Sequence, residues 1–268
     1  MPEGHTLHRL AKLHQKRYAG KPVELSSPQG RFVDGAEWVS GHVLKRADAW
    51  GKHLLHRYDN GATVHVHLGL YGKFSEQSVP MADPVGQVRM RMIGEEYGTD
   101  LRGPTACEIY DDTQIDALIA RLGPDPLRKE SDPDKAWNRI HKSAMPIGAL
   151  LMEQNVIAGI GNVYRAELLF RHRVDPFKPG KQLGSGEWDE MWTDLVELMK
   201  VGVRRGKIIT IDKEYDHGDA PYGRGGRGRP RTYVYRRAGS PCRVCGNPIS
   251  IADMKGRNLF WCPVCQTS

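Results

Sequence analysis

No run in this 268-residue chain approaches the roughly 20 apolar residues that a bilayer span requires, and neither a secretory signal nor an internal repeat is evident. These absences exclude helical membrane proteins and repeat solenoids, and they point to a reducing cytoplasm. Cysteine is also scarce. There are five, Cys107 stands alone, and the other four crowd the C-terminal end. A disulfide-stapled secreted scaffold would spread paired cysteines along the chain.

The four are Cys242, Cys245, Cys262 and Cys265, two C-x-x-C pairs with the 16 residues 246–261 between them. Two-residue spacing lets the thiolates of one tight turn converge on a single ion. Four thiolates complete the closed tetrahedral shell of a structural Zn²⁺. We therefore expect one structural zinc in a ribbon hairpin, with two disulfides as the alternative pairing. A segment this small cannot bury enough apolar surface to fold alone, so metal is a folding requirement.

The formal charge is +7 and the pI about 9.1. From Arg204 to Arg237 ten Lys and Arg face four Asp and Glu. A basic segment beside a zinc ribbon fits a polyanionic partner, most simply nucleic acid. A solvated basic face is the plainer alternative.

Leu7, Leu10, Ala11 and His14 predict a helix over residues 3–17. Short alternating stretches follow. Asn60-Gly61 joins strands 53–59 and 62–68 as a hairpin, and 85–93 continues the strand pattern. Gly123-Pro124-Asp125-Pro126 breaks the chain, after which 133–141, 146–155, 163–172 and 187–204 read as helices. The Gly/Arg-rich stretch 218–231 is too polar to pack, and 232–236 reads as a short strand entering the ribbon. The fold class is α+β, in three parts: a β-sandwich with flanking helices over 1–122, a helical helix–two-turn–helix region over 123–231, and a zinc-finger hairpin over 232–268.

Several short motifs could carry chemistry. Removal of Met1 would expose Pro2 as a secondary amine, a nucleophile with a pKa near about 8, and Glu3 beside it could shuttle protons. Lys52 follows Gly51 at a strand start. Leu70-Tyr71 forms an apolar tip between Gly69 and Gly72, fit either to be buried or to wedge between bases. His65 and His67 share a strand face without an evident third ligand, which favours packing. Gly159-Ile160-Gly161-Asn162 turns sharply, with Asn162 placed to cap the next helix and offer a phosphate site.

In this order Pro2-Glu3-Gly4, Gly51-Lys52, Leu68-Gly69-Leu70-Tyr71-Gly72, Arg121-Leu122-Gly123-Pro124-Asp125, Gly159-Ile160-Gly161-Asn162 and Lys255-Gly256-Arg257 resemble the formamidopyrimidine-DNA glycosylase/endonuclease VIII family, from Pro2 to the last cysteine. The resemblance implies a bifunctional base-excision enzyme that flips an oxidised nucleotide from damaged double-stranded DNA, removes the base through a Schiff base on Pro2, and cleaves the strand by β,δ-elimination. It assigns Glu3 and Lys52 to proton transfer, and Arg257 to δ-elimination. It places Arg121, Asn162 and Arg257 on phosphates, and Leu70, Tyr71 and Gly69 in the void left by the flipped base. The Leu-Tyr tip is closer to the endonuclease VIII branch, hence pyrimidine lesions. His5, Gly69 and the 218–231 stretch depart from the family pattern. A monomer is expected, with single-stranded or bubble DNA as alternative substrates. The rival readings are a damaged-DNA or single-strand binder without turnover, and an RNA-associated ribbon.

Overall fold

The computed structural model describes residues 2–215 and 231–267. The chain divides into two compact units, Met1–Arg121 and Leu122–Ser268. The 218–231 stretch lies outside the described residues, apart from Arg231, which makes an isolated bridge with Ile209. Among the described residues no helix is long and apolar enough to cross a membrane.

The first unit opens with α1 (Gly4–Tyr18), whose buried face carries Leu7, Ala11 and Tyr18 together with His5, His8 and His14. Then come β1 (Glu24–Ser26), α2 (Val33–Val39), β2 (Leu44–Trp50), β3 (His53–Tyr58), β4 (Thr63–His67), β5 (Lys73–Ser78), β6 (Val88–Ile93), β7 (Tyr97–Arg102), β8 (Ala106–Tyr110) and α3 (Asp112–Arg121). The strands form two antiparallel four-stranded sheets, ordered β2-β3-β4-β8 and β1-β6-β7-β5. Leu54, Val64 and Val66 of one sheet share a core with Met90, Met92 and Leu101 of the other, so the expected sandwich is present. Gly61 turns the β3–β4 hairpin at φ 85°.

Three local expectations need correcting here. The strand expected from 85 begins only at Val88, because residues 79–87 form an irregular loop. Helix α2 was not anticipated: it has only seven residues and contains Gly35, whose missing side chain leaves room for the Phe32 ring. Helix α3 was also missed; it buries only Ile115 and Leu118, too few positions to stand out as a periodic pattern.

The second unit contains α4 (Pro133–Ile140), α5 (Ile147–Leu150), α6 (Asn162–Arg171), α7 (Ser185–Arg205), β9 (Ser250–Met254) and β10 (Arg257–Trp261). Asp132 caps α4 by accepting from Asp134 N, and Gly206 ends α7 in the left-handed conformation. The helix expected over 146–155 spans only Ile147–Leu150. Beyond it the backbone tightens to three-residue bonds, Met152 N to Ala149 O and Glu153 N to Leu150 O. Gln154 then turns inward, its amide donating to Met152 O and Ile160 O and its Oε1 accepting from Gly159 N.

Residues 232–236 are not a strand either. They wrap around Glu167 of α6, which is fully buried and accepts from Thr210 Oγ1 (2.6 Å) and from the backbone N–H of Tyr233, Val234 and Tyr235 (2.6, 2.9 and 2.9 Å). Three consecutive backbone N–H groups spent on one carboxylate are lost to a β-ladder. Burial pushes this carboxyl up, and the four hydrogen bonds oppose that shift. The ribbon is continuous with the helical core: Cys242, Ile249, Phe260 and Cys262 belong to the same apolar cluster as Tyr164, Leu168 and Met199.

Candidate active site and metal centre

In the first unit the motif residues collect at one end of the β2-β3-β4-β8 sheet. The register pairs Trp50 with His53, His53 with His67, and His67 with Ala106. The Gly51-Lys52 turn, the Leu68–Gly72 tip and residues 103–105 before β8 are therefore neighbours. Gly51 has φ 56°, which a side chain would strain. The tip closes with Gly72 N donating to Leu68 O (2.9 Å) and leaves Leu70 45% and Tyr71 85% exposed. That settles the choice between a buried strand end and a projecting apolar tip in favour of projection.

Helix α1 brings the N-terminus to the same end. Gln15 Oε1 accepts from Ala47 N (2.8 Å), and His8, Ala11 and Gln15 line a shallow cleft with Ala47, Asp48 and Ala49. Thirteen residues of mostly helical chain back from Gln15 cover about 20 Å, and five residues of extended chain on from Ala47 cover about 16 Å. Gly20 N donates to Leu44 O (2.8 Å), which sets the C-terminal end of α1 at the start of β2, so the N-terminal end of the helix, with Pro2 and Glu3, is directed toward the Lys52 end of that strand. Glu3 is the extended residue that precedes α1, and its side chain is completely buried.

Histidines line this region. His53 Nδ1 and His65 Nε2 share a hydrogen bond of 2.9 Å, and their rings stack between Tyr110 and His67. His53 is the missing neighbour of His65 and His67. The cluster packs as rings, and among the described residues only the four cysteines converge as a metal-binding group. Burial holds His53 down to about 3 and His65 to about 4, helped by neighbouring imidazoles and the Arg121 cation. Arg121, the last residue of α3, and Lys52 both depress His53, which marks this end of the sheet as electropositive. His5 is likewise held at about 4, first by burial. Being neutral at physiological pH, it adds no charge beside the Pro2 amine.

In the second unit Asn162 departs from expectation. Gly161 is the N-cap and makes no side-chain bond, while Asn162 is the first helical residue and is buried. Its Nδ2 donates to Asn258 O (2.9 Å). Arg165, one turn on and fully buried, donates to Asn162 Oδ1 and to Asn258 O. Asn162 therefore fixes the backbone next to Arg257. The β9–β10 hairpin turns on Lys255 and Gly256, at φ 57° and 67°, and Met254 pairs with Arg257, leaving Arg257 exposed at the start of β10. The Arg121–Asp125 motif splits between the units. Gly123 packs so close to Val156 O that a Cβ would come within 2.3 Å, while Asp125 caps the following turn through Leu127 N. Arg165, Glu167 and His53 were not singled out from sequence. The signal available for the first two was a charged residue inside the apolar run of α6.

The four cysteine Sγ atoms lie within 4.8 Å of one another, with Cys242–Cys265 at 3.9 Å and Cys245–Cys262 at 3.5 Å. A tetrahedron with Zn–S bonds of about 2.3 Å has edges of about 3.8 Å, so the donor set fits Zn²⁺. All five cysteines are free thiols, which removes the disulfide alternative. Zinc held here would fix the ends of β9 and β10, whose Met254 and Leu259 pack on Ala149. Stripping the metal with a chelator is expected to raise backbone hydrogen exchange over residues 242–266. Full protection after complete zinc loss would rule out a structural role for the ion.

Residues 1–106 match the formamidopyrimidine-DNA glycosylase N-terminal domain, 122–214 the formamidopyrimidine-DNA glycosylase H2TH domain, and 239–267 the zinc finger found in FPG and IleRS. The chain is 64% identical to Endonuclease 8 1 of Mycobacterium tuberculosis, with all of both chains covered. It is 32% identical to formamidopyrimidine-DNA glycosylase of Thermus thermophilus, over 85% of this chain and 84% of that one. The solved Lactococcus lactis Fpg, complexed with abasic-site DNA, superposes with TM-score 0.81 at 21% identity, over 99% of this chain and 100% of that one. The N-terminal and H2TH family matches together span most of the chain, and the 64% relative is matched over its whole length, so the chain belongs to the formamidopyrimidine-DNA glycosylase/endonuclease VIII family.

Proposed function

We infer that this protein is an endonuclease VIII-type DNA glycosylase and AP lyase of base excision repair, acting as a monomer on oxidised bases, pyrimidines first, in damaged duplex DNA. The full-length 64% identity to an Endonuclease 8 carries this reading. The location of Pro2, Glu3 and Lys52 at one end of the sheet supports it.

In the proposed reaction the Pro2 nitrogen, freed of Met1, attacks the anomeric carbon of the extruded nucleotide. The base departs with the glycosidic electron pair and is protonated. The sugar ring opens with Glu3 supplying a proton to the ring oxygen, and an iminium forms between Pro2 and C1′. The iminium withdraws electrons, so a C2′ proton is lost and the 3′ phosphate leaves. A second elimination expels the 5′ phosphate, with Arg257 stabilising the departing charge. Lys52 donates a proton and contacts phosphate. Arg121 and Arg257 hold the backbone, Asn162 sets the position of Arg257, and Leu70-Tyr71 fills the gap left by the extruded nucleotide, offsetting an unstacking cost of a few kcal/mol. Gly69 adds no bulk to that wedge.

Borohydride tests this scheme directly. Reduction during turnover of an oxidised-pyrimidine duplex is expected to leave the chain covalently bound to DNA through Pro2. A zinc-replete protein lacking Met1 that gives no adduct on either lesion or abasic duplex would leave only DNA binding without turnover.

A further inference from the structure

The tip carries two projecting side chains and one empty position. Gly69 sits at φ 63°, and a Cβ built on it would fall 1.8 Å from Thr105 Oγ1 and 3.2 Å from Thr105 Cβ. The hydroxyl of Thr105 thus occupies the space from which a residue-69 side chain would grow. Thr105 is exposed, and its placement is firm: its N–H donates to His67 O at 2.8 Å, immediately before the first pair of the β4–β8 ladder. The segment leading to it lies along the tip, since a Cβ on Gly103 would sit 3.5 Å from Tyr71 O and 3.8 Å from Tyr71 Cβ.

We propose that Thr105 completes the inserting tip in place of residue 69 and is a determinant of opposite-base preference, its hydroxyl facing the base left unpaired when the lesion is extruded. The inference rests on the reading that Leu70-Tyr71 enters the duplex. Leucine fills space without distinguishing bases. A threonine hydroxyl offers one donor and two acceptor lone pairs to a base edge, and it is held here by strand backbone rather than by a long flexible side chain. Discrimination by one such bond is worth about fivefold.

The test is single-turnover base removal from thymine glycol opposite each of the four bases, and from the same lesion in single-stranded DNA. The wild-type protein is expected to rank the four duplexes unequally. Thr105→Val, which keeps the shape and removes the hydroxyl, should compress the best-to-worst ratio about fivefold and leave the single-stranded rate unchanged. Thr105→Ser should keep the wild-type ratio. Leu70→Ala and Tyr71→Ala serve as the reference for the tip itself and should slow every duplex. An unchanged ratio in Thr105→Val, with the two tip variants still slow, overturns this inference alone. Duplex rates unaffected by all three substitutions overturn the insertion reading and this inference with it. Wild-type rates equal opposite all four bases, or a Thr105→Val loss that is uniform across duplexes and single strand, also overturn it.

Discussion

A chain that keeps an extra residue ahead of Pro2 is expected to lose base removal and strand cleavage by on the order of a thousandfold or more, while still binding a non-cleavable abasic-analogue duplex with Kd within about twofold. The reason is chemical. A free proline nitrogen is a secondary amine whose lone pair can attack carbon and form an iminium, whereas the same nitrogen in a peptide bond is a tertiary amide with its lone pair delocalised. Burial of Glu3 sharpens the expectation, because this carboxyl sits in the residue leading into α1 and moves with the N-terminus. A Met-Lys-Pro start, which aminopeptidase does not trim, provides the blocked form. Equal zinc content and equal melting temperature would show that only the amine has changed. Undiminished borohydride trapping by the blocked chain would place the nucleophile on another residue, and Lys52 would be the first alternative.

Acid is expected to produce the second large effect. His5, His14, His56 and His65 are all buried, and burial lowers each of them, His5, His56 and His65 to about 4. His14 and His56 also share a 2.9 Å hydrogen bond beneath α1, with Tyr18 and Phe74 packed edge-on to His14. An unfolded histidine takes up its proton near about pH 6.5, and these do not while the fold persists. The unfolded chain therefore binds more protons between about pH 6.5 and 4, and stability falls with pH through that window, levelling below it. Above it the groups are neutral in both states and make no difference. Near pH 5.5 each such histidine costs about 1.4 kcal/mol, and these four together with His53, which is held down to about 3, cost about 7 kcal/mol, comparable to the whole stability of a marginal domain. Urea unfolding of the full chain at pH 7.5 and 5.5 measures the drop. Replacing the pair by His14→Leu and His56→Leu should narrow it by about 3 kcal/mol. A zinc-sensitive dye keeps thiolate protonation and metal release separate from this effect. Equal midpoints at the two pH values would mean that the histidines titrate alike in both states.

Legibility from sequence varied with how local the cause was. The cysteine spacing specified a four-thiolate site because two C-x-x-C knuckles need only a hairpin to meet. The Asn60-Gly61 turn and α1 were readable because φ preference and apolar periodicity are local properties. The 146–155 helix and the 232–236 strand were misread because a distant side chain intervenes. Gln154 supplies the bonds that a continuing helix would have made, and Glu167 captures the N–H groups that a strand would have used. Asn162 looked like a cap by position, yet Gly161 takes that place and the Asn162 amide is drawn to a carbonyl 96 residues away.

The sequence by itself determined the chemistry: a proline one residue from the start, a carboxylate next to it, a lysine after a glycine, and four thiols at metal spacing. Those identities need no fold to be recognised, since reactivity and ligand type belong to the residue. Only the tertiary structure decided where they lie. The strand register sets Lys52, His67, the Leu70-Tyr71 tip and Thr105 at one end of a sheet, and the α1–β2 packing brings Pro2 to that same end. The physical reason is that a ladder hydrogen bond or a buried side chain joins residues far apart in sequence, and neither leaves a local pattern. Gly69 shows the difference most plainly: in sequence it is a missing side chain, and in the fold it is the space taken by the hydroxyl of Thr105.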